Sequence, residues 1–305
     1  MTGTVLILGA SGKIGSHAAR AFRSAGWQVR THDRAKGNMT EDARGADVIV
    51  NGLNPPNYHN WARLIPEITE RVICAARASG AMVIVPGNVY NFGATPGTWD
   101  ENTPQNPCSR KGQIRKEMEA AYRASGVRTI ILRAGNFIDP ERKDDVMGLF
   151  LMRNIRRGRL IYPASPDTMQ TYCYLPDWAE AAVRLSAIRQ QLATFEDVPF
   201  PGHAFTANEL AEVLSQALGR QITVTGFPWW AMHLAAPFWE VAREMLEMRY
   251  LWSTPHRLSG AKLARLLPGF EPTEMAEVML AGLPANIRPD QPVAQQPRAP
   301  GARGI

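Results

Sequence analysis

The sequence predicts an α/β fold, a doubly wound parallel sheet with a smaller α+β lobe toward its C-terminal end. Three observations predict it. Short apolar runs alternate with helical patterns through about residue 140, and that alternation calls for parallel strands covered on both faces. A glycine-rich turn joins the first run to the first helix. With 305 residues, 45% of them hydrophobic, the chain can fill one large core and a smaller second one.

The elements justify themselves in order. Thr4–Leu8 is a short apolar run and reads as a strand. Residues 13–25 read as a helix because Ile14, Ala18, Phe22 and Ala25 recur on one face. Gly26 ends it. Residues 27–31 form a second strand and residues 47–51 a third, broken by Asn54-Pro55-Pro56. Residues 58–79 are mostly helical. Residues 81–85 form a fourth strand, stopped by Pro86-Gly87. A helix over 111–125 leads into a strand over 127–132. Beyond residue 140 the pattern loosens, with helices expected over 147–157, 176–191, 207–218 and 229–250 and a short strand over 222–225.

Gly9-Ala10-Ser11-Gly12-Lys13-Ile14-Gly15 is a GxxGxxG turn between strand and helix. Glycines let the backbone approach a pyrophosphate, and the helix N-terminus offers free N–H groups and a positive dipole end. The last glycine lets helix and strand pack closely. Because the strand before the turn and the amphipathic helix after it both fit, the turn marks a Rossmann-type dinucleotide site. Its candidate residues are Gly9, Ser11, Gly12, Lys13, Ile14 and Gly15. Asp33 lies about 24 residues after Gly9, near the spacing of an acid that binds the adenosine ribose and repels a 2′-phosphate. Arg34 argues the other way, since a guanidinium can pair with that phosphate. NAD is the expected cofactor and NADP the alternative. Leu53, Val85, Pro86 and Arg115 complete the candidate cofactor set. The dinucleotide-binding domain is expected over residues 1–165, with part of 176–200 returning to it. A smaller substrate lobe is expected over 166–285 and a disordered tail, rich in Pro, Gln, Ala and Arg, over 286–305.

Several pieces, in order and spacing, resemble the extended short-chain dehydrogenase/reductase family, which contains NAD-dependent epimerases and dehydratases. GASGKIGSH opens the fold. Ala46-Asp47-Val48-Ile49-Val50-Asn51 resembles the family's fourth-strand pattern. Val89-Tyr90 with Phe92-Gly93 resembles its VYG element, and Leu132-Arg133-Ala134-Gly135-Asn136-Phe137 with Asp139-Pro140 its RxGNxxGP segment. Tyr174-Leu175-Pro176-Asp177 resembles the later aspartate motif. The resemblance spans roughly residues 4–285 and implies a Ser/Thr and Tyr-x-x-x-Lys chemistry. That triad is absent. Val85-Pro86-Gly87-Asn88 carries no hydroxyl, and alignment on Glu119 puts Lys111 at the tyrosine position and Arg115 at the lysine position.

Replacements are available. Lys111 and Arg115 share a helix face. Arg115 could hold the nicotinamide ribose but not act as a base. Lys111 could be the acid or base if neighbouring positive charge and burial lower its pKa. Asn88 could donate to a carbonyl oxygen, and Tyr90 could supply a phenol. The alternatives are a solvated basic face with Arg110 and Lys116, and a Tyr90 packed under its loop. Gln170 stands where nucleotide-sugar enzymes of the family often carry a basic residue. Asn88, Asn136, Tyr172 and Tyr174 are the candidate substrate contacts.

Composition narrows the classes. The net charge of +6 is scattered, which disfavours nucleic acid. No uncharged run reaches membrane-span length. Six histidines and three cysteines show no metal spacing, so no metal is expected. Cys74, Cys108 and Cys173, with no leader-like start, suggest a cytoplasmic protein. The aromatic-rich stretch 227–252 suggests a lobe helix closing over the pocket or a subunit contact. The expectation is an NAD(P)-dependent oxidoreductase or epimerase/dehydratase on a small polar alcohol or carbonyl compound. Neither nucleic acid nor membrane is expected as a partner, and a homodimer is left open. A non-catalytic dinucleotide-binding sensor or scaffold is the alternative.

Overall fold

The computed structural model describes residues 2–33, 35 and 37–287. Arg34 and nearly all of the expected tail lie outside the described residues. Along the chain run β1 (Thr4–Leu8), α1 (Lys13–Ser24), β2 (Gln28–Thr31), α2 (Met39–Asp42), β3 (Val48–Asn51), α3 (Trp61–Ser79), β4 (Met82–Gly87), β5 (Gly97–Trp99), α4 (Arg110–Ala124), β6 (Thr129–Arg133), β7 (Asn136–Ile138), β8 (Arg159–Tyr162), β9 (Gln170–Tyr174), α5 (Leu175–Ala187) and β10 (Phe195–Pro199). There follow β11 (His203–Phe205), α6 (Ala207–Leu218), β12 (Thr223–Gly226), α7 (Trp229–Ala235), α8 (Glu240–Glu247), α9 (Arg249–Trp252), β13 (His256–Leu258), α10 (Ala261–Leu266) and α11 (Met275–Ala281).

The central sheet has six parallel strands in the order β10-β6-β4-β3-β1-β2. Its four inner strands, β6, β4, β3 and β1, are buried on both faces, as their near-continuous apolar runs require. Val5 and Ile7 of β1 pack with α1 and α5 on one side. Leu6 and Leu8 pack with α3 and α4 on the other. The strand order reverses between β1 and β3, and the crevice outside their C-terminal ends is where ligands of such sheets bind. A doubly wound sheet of this kind usually places a further strand beyond β2. Here, among the described residues, only the one-turn helix α2 lies between β2 and β3, so β2 is the sheet edge. The third strand along the chain thus takes the fourth strand's place, in accord with its sequence pattern. β10 returns to the sheet after a long excursion and pairs with β6, Phe195 opposite Thr129.

The excursion builds a second core from β7, β8, β9, β11, α6 and α11. Sequence periodicity overran here. The expected helix over 147–157 is a π-helical turn, Met147–Leu151, followed by a 3₁₀ turn, Ile155–Arg157. The expected helix over 229–250 is three helices, α7, α8 and α9. Pro237, which lacks an N–H to continue α7, falls at the first break. α7 has no buried residue and exposes Trp230 and Leu234. The helix expected over 58–79 begins only at Trp61. Before it lies a tight 3₁₀ turn, Pro56–Tyr58, with Asn57 (φ 53°), Tyr58 (φ 61°) and Asn60 (φ 48°) in left-handed conformation. Among the described residues no helix is long and apolar enough to cross a membrane.

Candidate functional site

The cofactor end of the crevice is a backbone construction. Gly9 sits at φ +72° and a Cβ there would meet the Gly52 carbonyl oxygen at 2.9 Å. A Cβ on Gly15 would lie 2.2 Å from the Gly9 carbonyl oxygen, so helix and turn touch backbone to backbone. The Gly12 N–H donates to Gly9 at 2.9 Å and closes the turn. α1 starts at Lys13 with no side-chain cap and no acidic residue in its first turn. Its N-terminal N–H groups and dipole therefore point at the crevice with no anion supplied by the helix itself. Ser11 is exposed, Lys13 and Ile14 are half-buried, and Leu53 packs beside Gly9. Asp33 is exposed just past the end of β2, its Oδ1 accepting the Ala35 N–H at 2.9 Å. Val85 and Pro86 lie in β4, Val85 in the core and Pro86 half-buried.

The chemical end is a side-chain construction. Lys111, one residue into α4, is 1% exposed. Its ammonium pairs with Glu244 and, at 2.6 Å, with Glu247, both from α8. Its backbone N–H donates to Glu247 at 2.9 Å, and its Nζ lies 5.0 Å from the Tyr58 ring centroid. Burial pushes the Glu247 carboxyl up, but the hydrogen bonds and charge of Lys111 outweigh this and hold it below its ordinary range. Carboxylates surround the Lys111 ammonium, where the expected proton-donor role called for neighbouring positive charge. The solvated basic face also fails for Lys111, while Arg110 and Lys116 are exposed.

Arg115 lies one turn further along α4. Its guanidinium stacks 4.7 Å over Trp61 and donates to Asn54 Oδ1 at 2.9 Å. Its buried Nε has no hydrogen-bond partner among the described residues. Asn88 accepts the Tyr90 N–H on its side-chain oxygen at 3.0 Å, and its carbonyl accepts from Arg133 at 2.6 Å. The Tyr90 hydroxyl meets the Tyr58 hydroxyl at 3.1 Å. The proximity of Tyr90, with burial, raises the Tyr58 phenol well above its ordinary range, so it stays protonated. Tyr58 packs on Trp61, ring centroids 5.0 Å apart. The cluster therefore joins Asn88, Tyr90, Lys111 and Arg115, as their spacing suggests, and adds Tyr58, which the sequence reading missed. The Asn-Pro-Pro-Asn run before Tyr58 was the available signal, because Pro fixes the turn and Asn tolerates left-handed φ.

The substrate candidates divide. Asn136 is half-buried in β7 opposite Tyr172. Tyr172 is a correction. It is 1% exposed and stacks on Phe205 at 4.1 Å inside the lobe core. The period of two along β9 turns its side chain inward with that of Gln170, and Tyr174 also packs against this core. Gln170 is equally committed, donating to the Leu251, Trp252 and Thr254 carbonyls. Among the described residues no group of three His, Cys, Asp or Glu could hold a metal.

Comparison with known proteins decides the family. A sequence profile for the NAD dependent epimerase/dehydratase family matches residues 5–196. The chain belongs to that family. The fold of this epimerase/dehydratase family member also matches solved structures at low identity. MoeE5, solved with UDP-glucose and NAD, superposes at a TM-score of 0.71 with 16% identity, covering 92% of this chain and 97% of that one. UDP-glucuronic acid 4-epimerase from Bacillus cereus, solved with UDP-glucuronic acid and NAD, gives 0.71, 13%, 92% and 97%. RMD from Pseudomonas aeruginosa, complexed with NADPH, gives 0.68, 15%, 92% and 97%. No curated protein matches the sequence. In this chain Lys111 is buried and doubly paired, and Arg115, four residues on, stacks on Trp61.

Proposed function

We propose that the protein is an NAD(P)-dependent oxidoreductase, or an epimerase/dehydratase that oxidises transiently, acting on a small polar alcohol or carbonyl compound. The observation that carries this reading is the uncapped α1 behind a turn whose glycines approach backbone to backbone, with Asp33 exposed past the end of the next strand. These residues fit a nicotinamide dinucleotide, with its pyrophosphate on the α1 N-terminus and Asp33 on the adenosine ribose. The bound cofactor supplies hydride acceptance and donation. Arg115, held flat on Trp61, fixes the nicotinamide ribose. The free NH₂ of Asn88 donates to the substrate oxygen, since its carbonyl oxygen is already used by Tyr90. Tyr90 exchanges a proton with that oxygen, and the protonated Tyr58 hydroxyl donates to Tyr90 as it does so. Lys111 has no part in the proton transfer in this reading. It anchors α8 over the cluster. The commitment of Gln170 to three carbonyls leaves the phosphates of a nucleotide sugar without a cation at that position, which favours a smaller substrate.

A second reading has one observation in its favour. The Lys111 clamp brings α8 onto the position from which the family's tyrosine reaches its substrate, as expected of a non-catalytic dinucleotide sensor or scaffold. Turnover separates the two. Titration with NADH and with NADPH, read by tryptophan quenching, should show binding. Incubation with NAD and a panel of sugars, hydroxy acids and sugar nucleotides should then generate NADH absorbance. Tyr90→Phe should lower kcat about 10²- to 10⁴-fold and leave NADH affinity intact. Binding without turnover on any compound selects the sensor, and full activity in Tyr90→Phe discards the phenol assignment.

A further inference from the structure

The segment after β7 turns back across the glycine-rich turn and is fastened there by charged side chains. Asp139, fully buried, meets His17 of α1 at 3.1 Å. Glu141 pairs with Arg20, one oxygen accepting at 2.9 Å. The Arg142 guanidinium donates to the Ser11 carbonyl at 3.0 Å and to the Asp144 carboxylate at 3.1 Å. Lys13 donates to the Asp144 carbonyl, and its ammonium lies 3.4 Å from the Asp144 carboxylate. Asp145, itself buried, accepts the Asp139 N–H and the Gly148 N–H, both at 2.7 Å, and braces the base of the segment.

Two cations, Lys13 and Arg142, thus stand at a turn already built for an anion, and both face one carboxylate. That carboxylate is half exposed at 48%, so it can be displaced without unfolding anything. A carboxylate between two cations at an uncapped helix N-terminus is the electrostatic counterpart of a phosphate. A glycine turn that relies on backbone N–H groups alone needs neither cation.

We propose that residues 139–145 form a phosphate clamp, in which Asp144 competes with the cofactor pyrophosphate for Lys13 and Arg142. The dinucleotide displaces Asp144, and the two cations then close on the phosphate oxygens. This rests on the dinucleotide reading and extends it to Lys13, Arg142 and Asp144. Arg142 and Asp144 become determinants of cofactor affinity supplied from beyond the glycine turn.

The test titrates NADH, ADP and adenosine against wild type, Asp144→Asn, Lys13→Gln and Arg142→Gln, read by tryptophan quenching. None of the three side chains is buried, and circular dichroism checks that each variant folds. Asp144→Asn should tighten NADH and ADP about threefold, the scale of a partly exposed ion pair, and leave adenosine unchanged. Lys13→Gln and Arg142→Gln should each weaken NADH and ADP by a similar factor and flatten the salt dependence of binding. Unchanged or weaker NADH binding in Asp144→Asn overturns the clamp. If every form binds NADH alike, the clamp fails and the dinucleotide reading stands. If no form binds NADH or NADPH, both fail.

Discussion

The two ends of the crevice are built in opposite ways. At the cofactor end the frame is backbone, a left-handed Gly9, a Gly15 pressed on the Gly9 carbonyl and an uncapped helix, with the charged side chains of the clamp laid over it. At the proposed chemical end the determinants are side chains. Lys111 is locked to Glu244 and Glu247, and the phenols of Tyr58 and Tyr90 meet nearby on other segments. The comparison teaches that a site made of backbone shape survives only if its glycines do. A site made of functional groups can be rebuilt from neighbouring elements that already face the same space.

The sharpest way to break this contrast is to remove Lys111. If it is an anchor, Lys111→Met leaves Glu244 only the exposed Arg110, at 3.6 Å, and Glu247 without its paired cation, at a cost of about 3 kcal/mol of stability. Thermal and denaturant unfolding at neutral pH would read it. The acid limb gives a second signature. Because Glu247 is held below its ordinary 4.5 in the folded state, its contribution is present above pH 4.5 and lost as pH falls through the lowered folded value. Lys111→Met should lose that limb, and Glu247→Gln should share the flattened profile. A Lys111→Met protein as stable as wild type, but inactive, would return Lys111 to the chemistry.

The second test strikes the backbone end. Gly15→Ala places a methyl 2.2 Å from the Gly9 carbonyl oxygen and 2.7 Å from its carbon. Neither can yield without moving the turn. The expected cost is about 1–3 kcal/mol of stability, with a larger proportional loss of NADH binding than at any side chain of the chemical end. If Gly15→Ala binds NADH normally, the turn is not the cofactor's seat.

The same contrast decides what could be read in advance. β1, β3, β4 and β6 were legible because buried parallel strands are continuous apolar runs, and the glycine turn because its chemistry is local. The lobe was not. β5 is Gly97–Trp99, and its partner β13 is His256–Leu258. Three residues carry no periodicity, and the strand exists only through pairing across the chain. Lys111 and Arg115 were found because family spacing pointed to them, but the sign of the charge around Lys111 was misjudged. Glu244 and Glu247, one helical turn apart on α8, lie more than 130 residues away. Their three-residue spacing showed a shared face, yet nothing local said which lysine it would meet. Tyr172 was misplaced for a related reason. Its strand is buried on both faces, Cys173 in the main core and Tyr172 on Phe205 in the lobe core, and nothing local to the sequence shows that the tyrosine face is covered.

The smallest expected effect concerns the choice between NADH and NADPH, and it sharpens the contrast because Asp33 is the side chain proposed for the adenosine ribose. β2 is the sheet edge and Asp33 is exposed just beyond it, so the carboxylate meets solvent and ligand with no further strand beside it. Its Oδ1 is held by the Ala35 N–H at 2.9 Å, which fixes the rotamer. Asp33→Asn keeps an oxygen for that N–H and removes only the charge. The carboxylate's two effects then separate. Hydrogen bonds to the ribose hydroxyls weaken modestly, because an amide oxygen is a poorer acceptor than a charged one. Repulsion of a 2′-phosphate vanishes. NADH affinity should therefore fall slightly while NADPH affinity rises, moving their ratio by about tenfold at low salt and less as salt screens the phosphate. A ratio that does not move would place the preference on the neighbouring positions, Arg34 among them.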